Sequence, residues 1–196
     1  MTLILASASS ARRHMLEAAG LTFEVVPSTA NEDSAKATYR AGGMKPRAQA
    51  EALAELKALS ISSERDGLVI GADQMLAVDD RVMDKPRDIA EARQHLRTLR
   101  GKTHELLTAV VVSRGKDIIW RHLDVPRLTM CAFSDAFLEH YMSRAGESTL
   151  RSVGAYQLEG LGAQLFERVE GDYFSVLGLP LLPLLGFLRE QGIVAR

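Results

Sequence analysis

The 196-residue sequence predicts an α/β fold, a mixed twisted sheet flanked by helices in one domain over residues 1–196. Three observations lead to it. Short apolar runs such as Leu68-Val69-Ile70 alternate with helical patterns such as Ile89–Leu99. The alternation lacks strict βαβ regularity, which favours a mixed sheet over a doubly wound parallel one. A hydrophobic content of 46% is enough, at this length, for the core of one domain or of two small lobes sharing a cleft.

In chain order, Thr2–Ala6 is a short apolar run, followed by Ser7-Ala8-Ser9-Ser10 and a helical pattern from Ala11 to Gly20, with glycine as the stop. Phe23–Val26 reads as a strand ending at Pro27, and the polar stretch Ser28–Gly43 as a long loop. Pro46–Ser60 is an Ala- and Leu-rich helix opened by proline. Leu68–Ile70 is a buried strand entering Gly71-Ala72-Asp73-Gln74, Met75–Val78 continues apolar, and Asp79-Asp80 is a turn. Ile89, Ala92, Leu96 and Leu99 share one face of a helix stopped by Gly101. Glu105–Ser113 and Ile118–Thr129 read as two long strands joined at Gly115. Ser134 caps a helix reaching Arg144, and Pro180–Gln191 forms the last helix, stopped by Gly192.

Charge and cysteine content exclude whole classes of function. With 24 Lys+Arg against 25 Asp+Glu, the net charge of −1 lacks the basic footprint of a nucleic-acid binder. One cysteine rules out an internal disulfide and multi-cysteine metal sites, and suits the reducing cytoplasm. Leu3–Ala6 is too short for a signal-peptide core. The uncharged run Tyr173–Leu188 is interrupted by Gly178, Pro180, Pro183 and Gly186, whereas a membrane span needs roughly 20 mostly apolar residues, so the run reads as core.

Three stretches could carry chemistry. Ser7–Ser10 precedes Arg12-Arg13 in a helix's first turn, where basic residues oppose the helix dipole unless an anion docks there. The alternative is a solvated first turn. Asp73 sits within an apolar stretch and is costly to bury unless paired, protonated or bound to a metal. At a strand end it could hold Mg²⁺ or orient a water; the alternative is a turn aspartate between two hairpin strands. Lys85, before Pro86, is biased to an extended backbone that could aim its ammonium into a cleft, or it is a surface residue. In Tyr156–Gly162, Gly160-x-Gly162 is followed by Leu165 where a dinucleotide fingerprint needs a third glycine, so that motif fails. Glu159 could accept hydrogen bonds from a base edge or lie on a loop surface. The five histidines lack paired-ligand spacing, Cys131 reads as packed, and neither a G-x-S-x-G elbow nor a Walker loop occurs.

Taken together, these pieces resemble the Maf family of nucleoside triphosphate pyrophosphatases. The resemblance runs nearly the whole chain, through Leu5–Arg13, Gly71–Gln74, Asp84-Lys85-Pro86, Leu99–His104, Thr108-Ala109-Val110, Gly154-Ala155-Tyr156, Glu159-Gly160 and Val176–Leu181. It implies an inosine-triphosphatase-like fold with two lobes around a cleft. The implied reaction cleaves the α–β phosphoanhydride of a nucleoside triphosphate with a divalent cation (Mg²⁺, Mn²⁺ or Co²⁺). The resemblance assigns Ser7, Ser9, Arg12, Arg13, Lys57 and Lys85 to substrate binding, Glu32 and Asp73 to the metal, and Asp73 also to the base that activates water. Ala11, Gln74 and Glu159 take the positions where the branches differ in base recognition. Asp73-Gln74 and Glu159 resemble the 7-methyl-GTP branch; the alternative is the dTTP/UTP branch. Ala11 stands where Arg or Trp is usual, and Ser10 where proline is usual. The resemblance also implies a homodimer acting on a nucleotide, while cysteine content points to the cytoplasm and the charge balance and interrupted apolar run leave no nucleic-acid polymer or membrane as partner. A non-catalytic protein regulating cell division is the competing class of function.

Overall fold

The structure is a computed structural model and describes residues 2–79 and 81–195. Its strands are β1 (Leu3–Leu5), β2 (Glu24–Val25), β3 (Leu68–Val78), β4 (Arg81–Met83), β5 (Thr103–Arg114), β6 (Asp117–Asp124), β7 (Arg127–Met130) and β8 (Phe166–Glu170). The helices are α1 (Ser10–Ala18), α2 (Glu32–Ala41), α3 (Pro46–Ser62), α4 (Ile89–Leu99), α5 (Asp135–Ala145), α6 (Tyr173–Val176) and α7 (Leu181–Glu190). The sheet is mixed and follows the order β2-β1-β3-β5-β7-β8, with β4 on β3 and β6 on β5. β1 runs parallel to β2 and β3, and the pairs β3–β4, β5–β6, β5–β7 and β7–β8 are antiparallel. The chain forms two compact units, one of Met1–Gln74, Thr108–Asp124 and Tyr173–Arg196, the other of Met75–Leu107 and Val125–Asp172.

In the first unit, Ser9 caps α1 by accepting from the Arg12 N–H at 3.4 Å. Alternate residues of three strands, Leu3 and Leu5, Leu68, Ile70 and Ala72, and Val110 and Val112, bury one face of the sheet. Met15 and Leu16 of α1 and Leu184, Phe187 and Leu188 of α7 belong to the same cluster. On α3, Leu53, Ala54, Lys57, Ala58 and Ile61 form a buried stripe at helical spacing.

The expected loop at Ser28–Gly43 is corrected: it contains α2. Asn31 caps the helix by accepting from Ser34, Glu32 and Asp33 complement its dipole, and Arg40 sits in its last turn. No residue of α2 is buried, so an apolar period that would announce it never develops. The strand read over Ile118–Thr129 is two, β6 and β7. Their register on β5 carries on from Thr108↔Asp124 to Glu105↔Arg127, interrupted at Val125-Pro126. Asp79 lies in the expected turn, and Asp80 lies outside the described residues.

In the second unit, Asp88 and Ser134 cap α4 and α5 as the sequence predicts of Ser134, and Arg93 of α4 pairs with Glu139 of α5 at 2.8 Å. The segment Gly146–Leu165 holds three 3-10 turns, and β8 is an exposed polar strand that hydrophobic patterning misses. His104 is 1% exposed and shares a hydrogen bond of 2.7 Å with the Tyr156 hydroxyl. Burial pushes its imidazole down to about 4 and the Tyr141 phenol up to about 12.

An acid-side prediction arises from His104. The unfolded chain binds a proton there near the ordinary histidine value, whereas the folded chain takes it up only near pH 4. Between those values the unfolded state holds more protons, so stability falls as pH falls through the window, by at most about 3 kcal/mol. Thermal melts of the wild type from pH 7 to pH 4 should show this slope, and His104→Asn should flatten it. An unchanged slope in the variant would assign the acid loss to other groups.

Candidate active site

Four charged side chains converge within the first unit, and two local features put them there. The first is the turn between β1 and α1. The Ser9 N–H donates to the Ser7 hydroxyl at 3.2 Å, and that hydroxyl also accepts from Arg12 Nη1 at 3.3 Å. Arg12 points inward. Its Nε donates to the Gly178 carbonyl at 2.8 Å and its Nη1 to the Ala72 carbonyl at 2.9 Å. These bonds fix the guanidinium plane and engage Nε and Nη1, with Nη2 outside them. Burial lowers the Arg12 pKa, and the charges of Asp73 and Glu32 act to raise it again. Arginine stays protonated at neutral pH under such opposing effects.

Gly178 supplies its carbonyl from a backbone at φ +105°, where a side chain would be strained although space exists. The expected pair Arg12-Arg13 is thus split in place, one side chain buried and the other at the surface. Arg13 is exposed and lies 3.6 Å from Glu17 along the same helix.

The second feature is the alternation of β3. The strand runs unbroken from Leu68 to Val78, so Asp73 is neither at a strand end nor in a hairpin turn, as the sequence reading had allowed. Successive residues face opposite sides. Gly71 and Asp73 face α3, while Ala72 belongs to the cluster that includes α1 and α7. At Gly71 the α3 backbone comes so close that an added Cβ would lie 2.2 Å from the Ala54 carbonyl oxygen and 2.7 Å from the Ala58 nitrogen. This approach delivers Lys57, whose Nζ donates to Asp73 Oδ1 at 2.7 Å. The same ammonium lies 2.8 Å from Glu32 Oε2, at the first residue of α2. Lys57 and Asp73 are each 7% exposed, whereas the Glu32 side chain is 38% exposed.

Gln74 turns the other way. Its Nε2 donates to Thr108 Oγ1 at 2.9 Å and to the carbonyls of Ser175 at 2.9 Å and Val176 at 3.1 Å. Those acceptors orient the amide and leave Oε1 outside these bonds, 3.8 Å from the point where a Gly178 Cβ would stand. The Ser175 hydroxyl donates to Asp124 Oδ2 at 2.6 Å, and His122 Nε2 shares a bond of 3.0 Å with Asp124 Oδ1. This chain of bonds braces the β5–β6 and α6 segments around Gln74. Sequence reasoning gave no site role to Gly178, Thr108, Ser175 or Asp124.

Ala11 is half-buried in the first turn of α1, and Ser9 is half-buried as its cap. Lys85 and Glu159 belong to the second unit and are exposed there, Lys85 just after β4 and Glu159 among the 3-10 turns. Among the described residues, no group of three or more His, Cys, Asp or Glu is placed to hold a metal ion. No helix among them is long and apolar enough to cross a membrane.

A family model described as Maf-like protein matches residues 2–191. A nucleoside triphosphate pyrophosphatase of Hyphomonas neptunium is 53% identical over 194 residues, covering 99% of this chain and 98% of the relative. A 7-methyl-GTP pyrophosphatase of Rhizobium etli is 49% identical over 193 residues, covering 98% and 97%. A nucleoside triphosphate pyrophosphatase of Caulobacter vibrioides is 52% identical over 188 residues, covering 96% and 94%.

Proposed function

This chain belongs to the Maf family, and we propose that it is a nucleoside triphosphate pyrophosphatase, releasing nucleoside monophosphate and pyrophosphate. The observation that carries the reading is the cluster in which Lys57 joins Asp73 to Glu32 while the Arg12 guanidinium senses both carboxylates. A triphosphate brings about four negative charges, so its cleavage needs several cations held in place before the reaction. Arg12 and Lys57 supply two, and the Ser7 and Ser9 hydroxyls stand at the N-terminus of α1, where backbone N–H groups favour anions.

The donor set fits a divalent cation. Glu32 and Asp73 already close on one positive charge, and carboxylate oxygens suit Mg²⁺, Mn²⁺ or Co²⁺. Glu32 and Asp73 would hold the ion, which would supply neutralisation of phosphate charge and Lewis acidity toward water. Asp73 takes the proton of the water that attacks the α-phosphorus in line with departing pyrophosphate. Arg12, fixed by Gly178, Ala72 and Ser7, offers Nη2 to the phosphate chain without reorganising. We place the enzyme in the cytoplasm as a homodimer acting on free nucleotides.

For the base, the reading leans to 7-methyl-GTP-like substrates. The Asp73-Gln74 pair and Glu159 resemble that branch of the family, and a glutamate is the acceptor type matched to the N1–H and exocyclic amine of guanine. The test is a panel of ordinary and 7-methylated nucleoside triphosphates with Mg²⁺, Mn²⁺ and Co²⁺, measuring pyrophosphate and phosphate separately. Pyrophosphate without phosphate is expected, fastest on guanine nucleotides. Phosphate alone would overturn α–β cleavage, and turnover of dTTP and UTP without guanine nucleotides would overturn the base preference.

A further inference from the structure

The Lys57 ammonium stands between Glu32 and Asp73, the two carboxylates that would hold the proposed cation. It lies 2.8 Å from one carboxylate and 2.7 Å from the other, and two of its three donors are spent on them. An ammonium and a divalent cation compete for the negative charge of the same two carboxylates. We infer that Lys57 is a built-in placeholder for the divalent cation: without nucleotide it holds the two carboxylates and keeps the metal out, and the triphosphate draws it away so that metal and nucleotide bind as a pair. This rests on the pyrophosphatase reading and concerns how that site fills.

The two cations of the site differ in their freedom to move. Arg12 is locked through three hydrogen bonds, two of them to backbone carbonyls. Lys57 bonds only carboxylates through a flexible four-carbon stem. One of those carboxylates, Glu32, is 38% exposed on a helix that buries none of its residues, so that side of the bridge can open.

Swinging the ammonium out is costly while it has no other partner, because it sits in a largely buried place. A phosphate oxygen is such a partner. The carboxylates that Lys57 leaves are then a divalent site with no competing charge. Binding of the two ligands is therefore coupled, and by thermodynamic reciprocity each raises the affinity of the other by the same factor, on the order of tenfold.

The experiment measures Mn²⁺ binding, by electron paramagnetic resonance of the free ion at fixed ionic strength, to the wild type and to Lys57→Met. The α,β-methylene analogue of GTP is left out in one arm and added in the other. Lys45→Gln, which removes an exposed positive charge at the start of α3, controls for a general charge effect. Without the analogue, Lys57→Met should bind Mn²⁺ about tenfold tighter than the wild type, and Lys45→Gln should match the wild type. The wild type should gain a similar factor when the analogue is added.

Adding Asp73→Asn to Lys57→Met should abolish the gain. The melting temperature of Lys57→Met should fall without metal, because two carboxylates lose their counter-ion, and should recover with Mn²⁺ more than that of the wild type. Mn²⁺ binding by the wild type with the analogue, but no gain in Lys57→Met without it, would overturn the placeholder and leave the pyrophosphatase reading standing. No Mn²⁺ binding in any arm would overturn the metal assignment itself.

Discussion

Asp73→Asn is expected to cut pyrophosphate release by about 100- to 10,000-fold, the usual contribution of a positioned general base. The substitution keeps shape and volume, and the amide oxygen still accepts from Lys57, which bonds Asp73 Oδ1 at 2.7 Å. What it removes is charge. A neutral amide cannot take the proton of an attacking water, and it weakens the site for a divalent ion that Asp73 and Glu32 would hold, with no third His, Cys, Asp or Glu grouped with them among the described residues.

The Lys57 ammonium keeps Glu32 at 2.8 Å, so the variant does not strand an unpaired buried charge. Its melting temperature should accordingly stay within a few degrees of the wild type while activity collapses. The pair of measurements separates chemistry from folding. Activity within tenfold of the wild type would show that Asp73 is not the base. A loss in KM alone, with kcat intact, would assign Asp73 to substrate binding instead.

The stretch around Asp73 also shows how far local pattern reaches. Leu68-Val69-Ile70 reads as strand from its residues, and Gly71-Ala72-Asp73-Gln74 looks like an interruption because glycine and aspartate commonly punctuate turns. A strand buried on both faces gives no polar alternation that would carry it through. Gly71 is there for α3, not for a turn, and an approach between residues far apart in sequence leaves no local trace.

Lys57 does leave one. It sits on the stripe Leu53, Ala54, Ala58 and Ile61, and a lysine on an apolar helix face is costly to bury without a partner. Glu32 lies at the opposite extreme, at the start of a helix with no buried face, where only the Asn31 cap marks the beginning. Helix α4 was legible from the period of Ile89, Ala92, Leu96 and Leu99, and α5 from its Ser134 cap. The Gln74 brace was not, because it unites Thr108, Ser175 and Asp124 through tertiary pairing alone.

Gly71→Ala should therefore damage stability and activity together, although it adds a single methyl group. The new Cβ would meet the Ala54 carbonyl oxygen at 2.2 Å and the Ala58 nitrogen at 2.7 Å, both backbone atoms inside α3. No rotamer relieves such a contact, so the helix must move off β3. Overpacking of this kind costs about 1–3 kcal/mol or more. For a chain of this size, that is a fall in melting temperature of roughly 2–10 °C.

Lys57 lies on the same turn as Ala54 and Ala58, so the shift carries its ammonium away from Asp73. Pyrophosphate release should drop by at least about tenfold even at temperatures where the variant is folded, because displacements near an ångström are expensive in a preorganised site. Trimming the helix side chain does not help: adding Ala58→Gly removes only the Cβ contact at 2.8 Å and leaves both backbone clashes. The double variant should stay impaired. Rescue by Ala58→Gly, or a melting temperature within a degree of the wild type, would mean that β3 and α3 are not locked together at Gly71 as the structure shows. Combined with Asp73→Asn, the activity loss from Gly71→Ala should be less than additive, since Lys57 would be leaving a partner that no longer carries charge.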